Sequence, residues 1–113
     1  MLQGVDSLSG NRSKYRWKTD YQIAPYLVSF GTAKYNTWTK TYNYGSGSMP
    51  VMFYLSPTSD STSYRTAWEK CIPMMEVYKT VYGLYPFVNE KYGLYEFTFG
   101  GGMEHQTMTG QFA

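Results

Sequence analysis

"VMFYLSPTSDSTSYRTAWEKCIPMMEVYKTVYG", Val51 to Gly83, is where the periodicity of the chain changes. Val51 to Leu55 is a short apolar run closed by Pro57, and reads as a strand. Beyond it, Asp60 or Ser61 offers a short side-chain oxygen that can cap a helix by accepting orphan backbone N–H groups. Tyr64, Ala67, Trp68, Cys71, Ile72, Met75, Tyr78 and Tyr82 then recur at spacings of three and four, the pattern of an amphipathic helix. Pro73 interrupts it. Proline removes one backbone hydrogen bond and clashes with the preceding turn, so a kink or a fresh helix start is expected there. Gly83 suits the helix end, with Pro86 soon after.

Upstream, the signals are those of β structure. "YNTWTKTYNY", Tyr35 to Tyr44, places Trp38, Tyr42 and Tyr44 on one side of a strand and Thr37, Thr39 and Thr41 on the other. "GSGS", Gly45 to Ser48, reads as a turn or short linker. "YQIAPYLVSF" reads as a strand beginning at Pro25, with Tyr26, Val28 and Phe30 on one face. Ser9 to Arg12 reads as a turn between a weak strand near Val5 to Leu8 and a stronger one at Lys14 to Lys18. The sequence is therefore α+β: strands, one strand, a long helical stretch, then one strand.

Composition narrows the functions. The chain has 113 residues, 42% of them hydrophobic, which is enough for the core of one small domain and argues against wholesale disorder. Aromatic residues reach 19%, thirteen of them tyrosine, a bias towards pleated, half-buried surfaces. Net charge is only +2, without charge blocks, and nucleic-acid binding needs a stronger basic footprint. Arg12, Lys14, Arg16 and Lys18 share one face of an extended segment and read as a solvated face. No apolar run approaches the ~20 residues of a membrane-spanning helix. Met1 to Gly4 lacks the basic and apolar regions of a signal peptide. The single cysteine, Cys71, excludes an internal disulfide and any multi-cysteine zinc site. Its place on the apolar helix face marks a core thiol.

After the helix, "YGLYEFTFGGGMEHQTMTG", Tyr92 to Gly110, carries the chemistry. Tyr95, Phe97 and Phe99 fall on one side of an extended segment, and Leu94, Glu96 and Thr98 on the other. Three glycines follow. They allow positive φ and close approach of a backbone or ligand, and a tight turn or bulge also satisfies them. A phosphate loop is excluded, because no Lys-Ser/Thr and no helix start follow. Glu104 and His105 are too few to hold a metal, and neighbours on an extended strand point to opposite faces. Glu104, just past the glycine corner, is placed to receive a cation such as a ligand ammonium.

Gly101-Gly102-Met103-Glu104 resembles the Gly-x-Met-Glu-Asn signature of zinc aminopeptidases of the aminopeptidase N and leukotriene hydrolase type, the gluzincin metallopeptidases, with His105 in place of Asn. "YGLYPFVNEKYGLYEFTFGGGMEHQT" is similar to the family's run of helix, Tyr-Pro-Phe, extended segment and glycine corner. "QIAPYLVSFGTAKY" is similar to the passage from the family's saddle-like N-terminal β domain into its catalytic domain. The resemblance covers residues 15 to 113. It implies an α+β fragment: residues 1–33 end an all-β N-terminal domain, and residues 34–113 begin a metallopeptidase catalytic domain with strands and a long kinked helix. It implies that Glu104 binds the free α-amino group of a peptide substrate, and that Gly101, Gly102 and Met103 line the groove. The family's zinc ligands, His-Glu-x-x-His and a more distant Glu, would lie beyond Ala113. The catalytic set is thus incomplete here, no metal is held by these residues, and the piece alone is expected to be inactive. A periplasmic or secreted parent is the expected setting. The alternative is a non-catalytic β module binding carbohydrate or protein, with Trp38, Tyr42 and Tyr44 as an aromatic platform; a family member that has lost catalysis is a third.

Overall fold

The computed structural model describes every residue, Met1–Ala113. A two-stranded hairpin, β1 (Leu2–Leu8) and β2 (Arg12–Trp17), stands apart from a five-stranded sheet. The hairpin turn uses left-handed φ at Gly10 and Asn11, the residues that tolerate it best. On β2, Arg16 pairs with Asp6 of β1, and every β2 residue is exposed, so the basic row is a solvated face.

The larger sheet contains β3 (Asn36–Asn43), β4 (Ser48–Leu55), β5 (Tyr92–Glu96), β6 (Gly102–Met103) and β7 (Thr109–Gln111), in the order β3-β4-β5-β7-β6. β3 and β4 form an antiparallel hairpin. β4 and β5 are parallel, with Val51 opposite Tyr92 and Phe53 opposite Leu94. A parallel pair needs a long crossover, and two helices provide it: α1 (Thr62–Glu69) and α2 (Cys71–Tyr82). The last two strands were not visible in the sequence. They are two and three residues long, too short and glycine-rich to show a period.

The core lies between this sheet and the helices. β4 alternates faces strictly, burying Met49, Val51, Phe53 and Leu55. Tyr42, Trp68 and Leu94 join them, with Cys71, Ile72 and Met75 packed alongside. Cys71 is thus a core thiol, and burial pushes its pKa up to about 11.

Three expectations need correction. The helical stretch is two helices, so of the kink and the fresh start the chain takes the fresh start, but at Cys71 after a break at Lys70 rather than at Pro73. Pro73 occupies the first turn of α2, where a missing N–H is tolerated, and the bond it could not make falls back one turn to Glu69. The expected strand from Pro25 does not form: Pro25–Leu27 is a 3-10 turn, and the chain continues irregularly without a ladder partner. Tyr26, Val28 and Phe30 face solvent, Phe30 at 90% exposure. The third correction concerns the aromatic platform. Tyr42 is 3% exposed and donates to Glu76 Oε2 at 2.8 Å. Trp38 stacks on Phe53 at 4.8 Å between ring centres, and the Arg65 guanidinium lies 4.6 Å over its ring. The strand face that alternation picked out is a core face covered by helix.

Candidate functional site

The site grows from the end of β5. Tyr95 and Phe97 extend an aromatic row, with ring centres 6.0 Å apart, and Phe99 follows at 5.6 Å. Tyr95 is wedged: side chains added at Gly31 or Gly110 would meet its ring at 3.2 and 3.3 Å. Those two glycines are needed for the close approach. Its hydroxyl lies 3.3 Å from His105 Nδ1.

The glycine corner reverses the chain. Gly101 takes φ +87, which a side chain would resist. Phe112 N then donates to Gly101 O at 2.9 Å, and Phe97 N to Gln111 O at 3.1 Å. The first bond closes β6 against β7, with Met103 opposite Gly110, and the second prolongs the pairing of β5 with β7. β6 is the edge of the sheet, and Glu104 to Met108 form the loop that joins it to β7.

That loop is tightly folded rather than extended. His105 N donates to Met103 O at 3.0 Å, and Met108 N to His105 O at 3.1 Å. Glu104 and His105 therefore do not simply alternate between faces, as a strand would require. Both line one cleft of about 220 Å³, with Leu27, Tyr85, Phe87 and Gln106 among its other walls. His105 also lines a second cleft of about 400 Å³, with Phe30, Tyr95, Phe97, Phe99 and Met103. The motif loop is the partition between the two. Gly101 and Gly102 are exposed at its root and border neither cleft.

Glu104 differs from every other acidic side chain in the molecule. Asp6 pairs with Arg16, Asp20 with Lys18, and Asp60 with Arg65. Glu69 pairs with Lys40 and Glu76 with Lys79. Glu90 accepts from Thr19 Oγ1 and Asp20 N, both at 2.8 Å. Glu96 accepts from Ser56 N and Ser59 Oγ, both at 2.7 Å. Glu104 alone has no hydrogen-bond or ion-pair partner, and it is exposed at the cleft mouth. No group of three His, Cys, Asp or Glu side chains converges as metal ligands, and no helix is long and apolar enough to cross a membrane.

Two residues, Lys91 beneath the loop and Thr107 within it, were not singled out by the sequence. Lys91 is 6% exposed, and its Nζ donates to Thr107 O at 3.0 Å. Burial lowers its pKa to about 8, against the opposing pull of Glu90. Thr107 has φ +62, a left-handed conformation that a β-branched residue adopts only under constraint. A lysine in a polar stretch reads as solvated, and nothing in its neighbours signals otherwise.

No protein-family model matches the chain, and no curated protein matches it. The fold, however, is one found within an aminopeptidase. The crystal structure of Legionella pneumophila aminopeptidase A in complex with aspartic acid superposes with a TM-score of 0.81 over 97% of this chain, at 17% identity. This chain covers 13% of that one, so the match is to one portion of a much larger enzyme. At this identity the likeness is one of fold.

Proposed function

We propose that this chain is the substrate-amine-binding portion of a zinc-dependent aminopeptidase. The hairpin and the linker to about residue 33 would end its N-terminal β domain, and the rest would begin its gluzincin catalytic domain. Glu104 is the single observation that carries the reading: the one acidic group with no partner, held by a glycine corner at the mouth of a cleft. A carboxylate so placed can take the ammonium of a peptide's free N-terminus by charge-assisted hydrogen bonds. Gly101, Gly102 and Met103 would border the peptide along the sheet edge, where free backbone groups can pair with an extended chain. The match of fold to an aminopeptidase supports the same assignment.

Fixing the amine fixes which bond is presented, and that makes an exopeptidase. This chain's part in the mechanism ends there. The zinc, and the water it would activate, would be held by other residues of the parent enzyme. The covered Trp38 and Tyr42 leave the aromatic-platform alternative without its platform.

The test is binding of an amine to the chain itself. Alaninamide should bind weakly, N-acetylalaninamide should not bind, and Glu104→Gln should abolish the difference. Equal binding of both compounds, or full binding by Glu104→Gln, would remove Glu104 from the role. With added zinc and an amino-acid anilide, the chain should show no turnover above a Glu104→Ala control.

A further inference from the structure

We propose that Lys91 is a positioning residue for the amine site: its buried ammonium captures the Thr107 carbonyl and so fixes where the motif loop presents Glu104. The inference rests on the reading of Glu104 as the amine anchor.

The loop has few holds of its own. Its two internal hydrogen bonds, His105 N to Met103 O and Met108 N to His105 O, are local and leave its tilt against the sheet free. Two side chains reach the loop from β5 and its approach: the Tyr95 hydroxyl, 3.3 Å from His105 Nδ1, and Lys91 Nζ, which spans sixteen residues to Thr107 O and is the one that holds the loop's backbone. Thr107 is also the loop's strained residue, with φ +62. Left-handed backbone is unfavourable for a residue with a Cβ and persists only where its surroundings enforce it. The carbonyl of that residue is the one Lys91 holds, so the strain and its restraint meet at one peptide group.

The choice of lysine is informative. It lies buried with no carboxylate within ion-pair distance, although Glu90 is adjacent in sequence. Glu90 is turned to the other side, where it holds Thr19 and Asp20. Burying an ammonium on a single carbonyl is unfavourable for folding. A neutral side chain would fill the space at less cost, and the one bond the ammonium makes is to the loop. Tyr85, whose hydroxyl donates to Lys91 O at 3.3 Å, keeps the lysine's own backbone in place.

The ionisable groups around the ammonium are Glu90 beside it, Tyr85 on its backbone, and Glu104 and His105 in the loop it holds. Burial holds the Tyr85 hydroxyl well above the usual tyrosine range and brings the Lys91 ammonium down to about 8. A change in the loop centred near pH 8 is the signature of Lys91.

The experiment is NMR on the isotope-labelled chain fused to a small soluble carrier, comparing wild type, Lys91→Met and Lys91→Arg. In Lys91→Met, resonances of Leu94 and Tyr95 should stay, those of Glu104 to Met108 should move or broaden, and alaninamide should bind at least threefold more weakly. Lys91→Arg should recover part of both. In wild type, the Thr107 carbonyl-carbon resonance should step near pH 8, which checks the clamp even if Lys91→Met does not fold. Unchanged loop resonances in a folded Lys91→Met, or no step in wild type, would overturn the clamp. Failure of wild type to bind alaninamide would instead remove the amine-site reading, with the loop resonances still reporting on the clamp.

Discussion

Lys91 places a positive charge where only 6% of the residue meets solvent, and stability should record it. Its folded pKa is about 8 against an ordinary 10.5. Between those values the unfolded chain holds a proton that the native chain has released, so raising the pH through that window favours the native state. From pH 7.5 to 9.5 the gain should be about 2 kcal/mol, taken from the size of the shift. Urea unfolding of wild type should show this rise, and Lys91→Met should lack it. The same deprotonation weakens the bond to Thr107, since a neutral donor is roughly half as strong as a charged one. The molecule should become more stable and its motif loop less firmly held over one pH interval. Neither the buried lysine nor the left-handed Thr107 was legible in the sequence, because both depend on a partner distant along the chain. Glu104 was legible: a carboxylate after glycines carries its own local signal. What singles it out, the engagement of every other carboxylate, belongs to the fold.

Among the elements, legibility followed length and periodicity. β4 and the helices announced themselves through periods of two and of three to four, and Ser61 was a visible cap, now accepting from Tyr64 N at 3.3 Å. β6 and β7 did not, and the Pro25 segment misled because alternation over three residues also arises by chance in irregular chain. The parallel join of β4 and β5 depends on one small residue that carried no periodic signal. A Cβ at Gly93 would stand 2.4 Å from Met52 O and 2.9 Å from Met108 Sδ. Backbone of a neighbouring strand cannot yield as a side-chain tip can. Gly93→Ala should therefore cost about 3 kcal/mol by overpacking. Gly45→Ala, in open space at φ +98, should cost about 1 kcal/mol from backbone strain alone. Denaturation midpoints of the two variants would separate the effects; equal losses would refute the assigned cause at Gly93.

At the scale of the molecule, the hydrophobic content visible in the sequence is only partly used. Just 11 of the 113 residues are buried. Met74, Val77, Tyr78, Val81 and Tyr82 leave an apolar side of α2 open, and Leu2, Val5, Tyr15 and Trp17 do the same on the hairpin. Contiguous apolar surface of this kind drives association. The chain alone should sediment as concentration-dependent oligomers and bind a hydrophobic dye while folded. A strictly monomeric chain at high concentration would contradict this. Helical spacing revealed the apolar residues of α2, but a helix with one flank on its own sheet and another left open looks the same in sequence as one buried throughout.

The grip of Glu90 on Thr19 and Asp20 bears on how the pieces move. The hairpin has no core of its own shared with the larger sheet, yet its exit is moored by one carboxylate only three residues past β2. The hairpin is thus a lever with its fulcrum at Asp20. Force applied to it arrives at Glu90 before it can reach the sheet. The next residue along is the lysine under the motif loop, so a tug on the amino-terminal end is delivered one peptide bond from the group that aims Glu104.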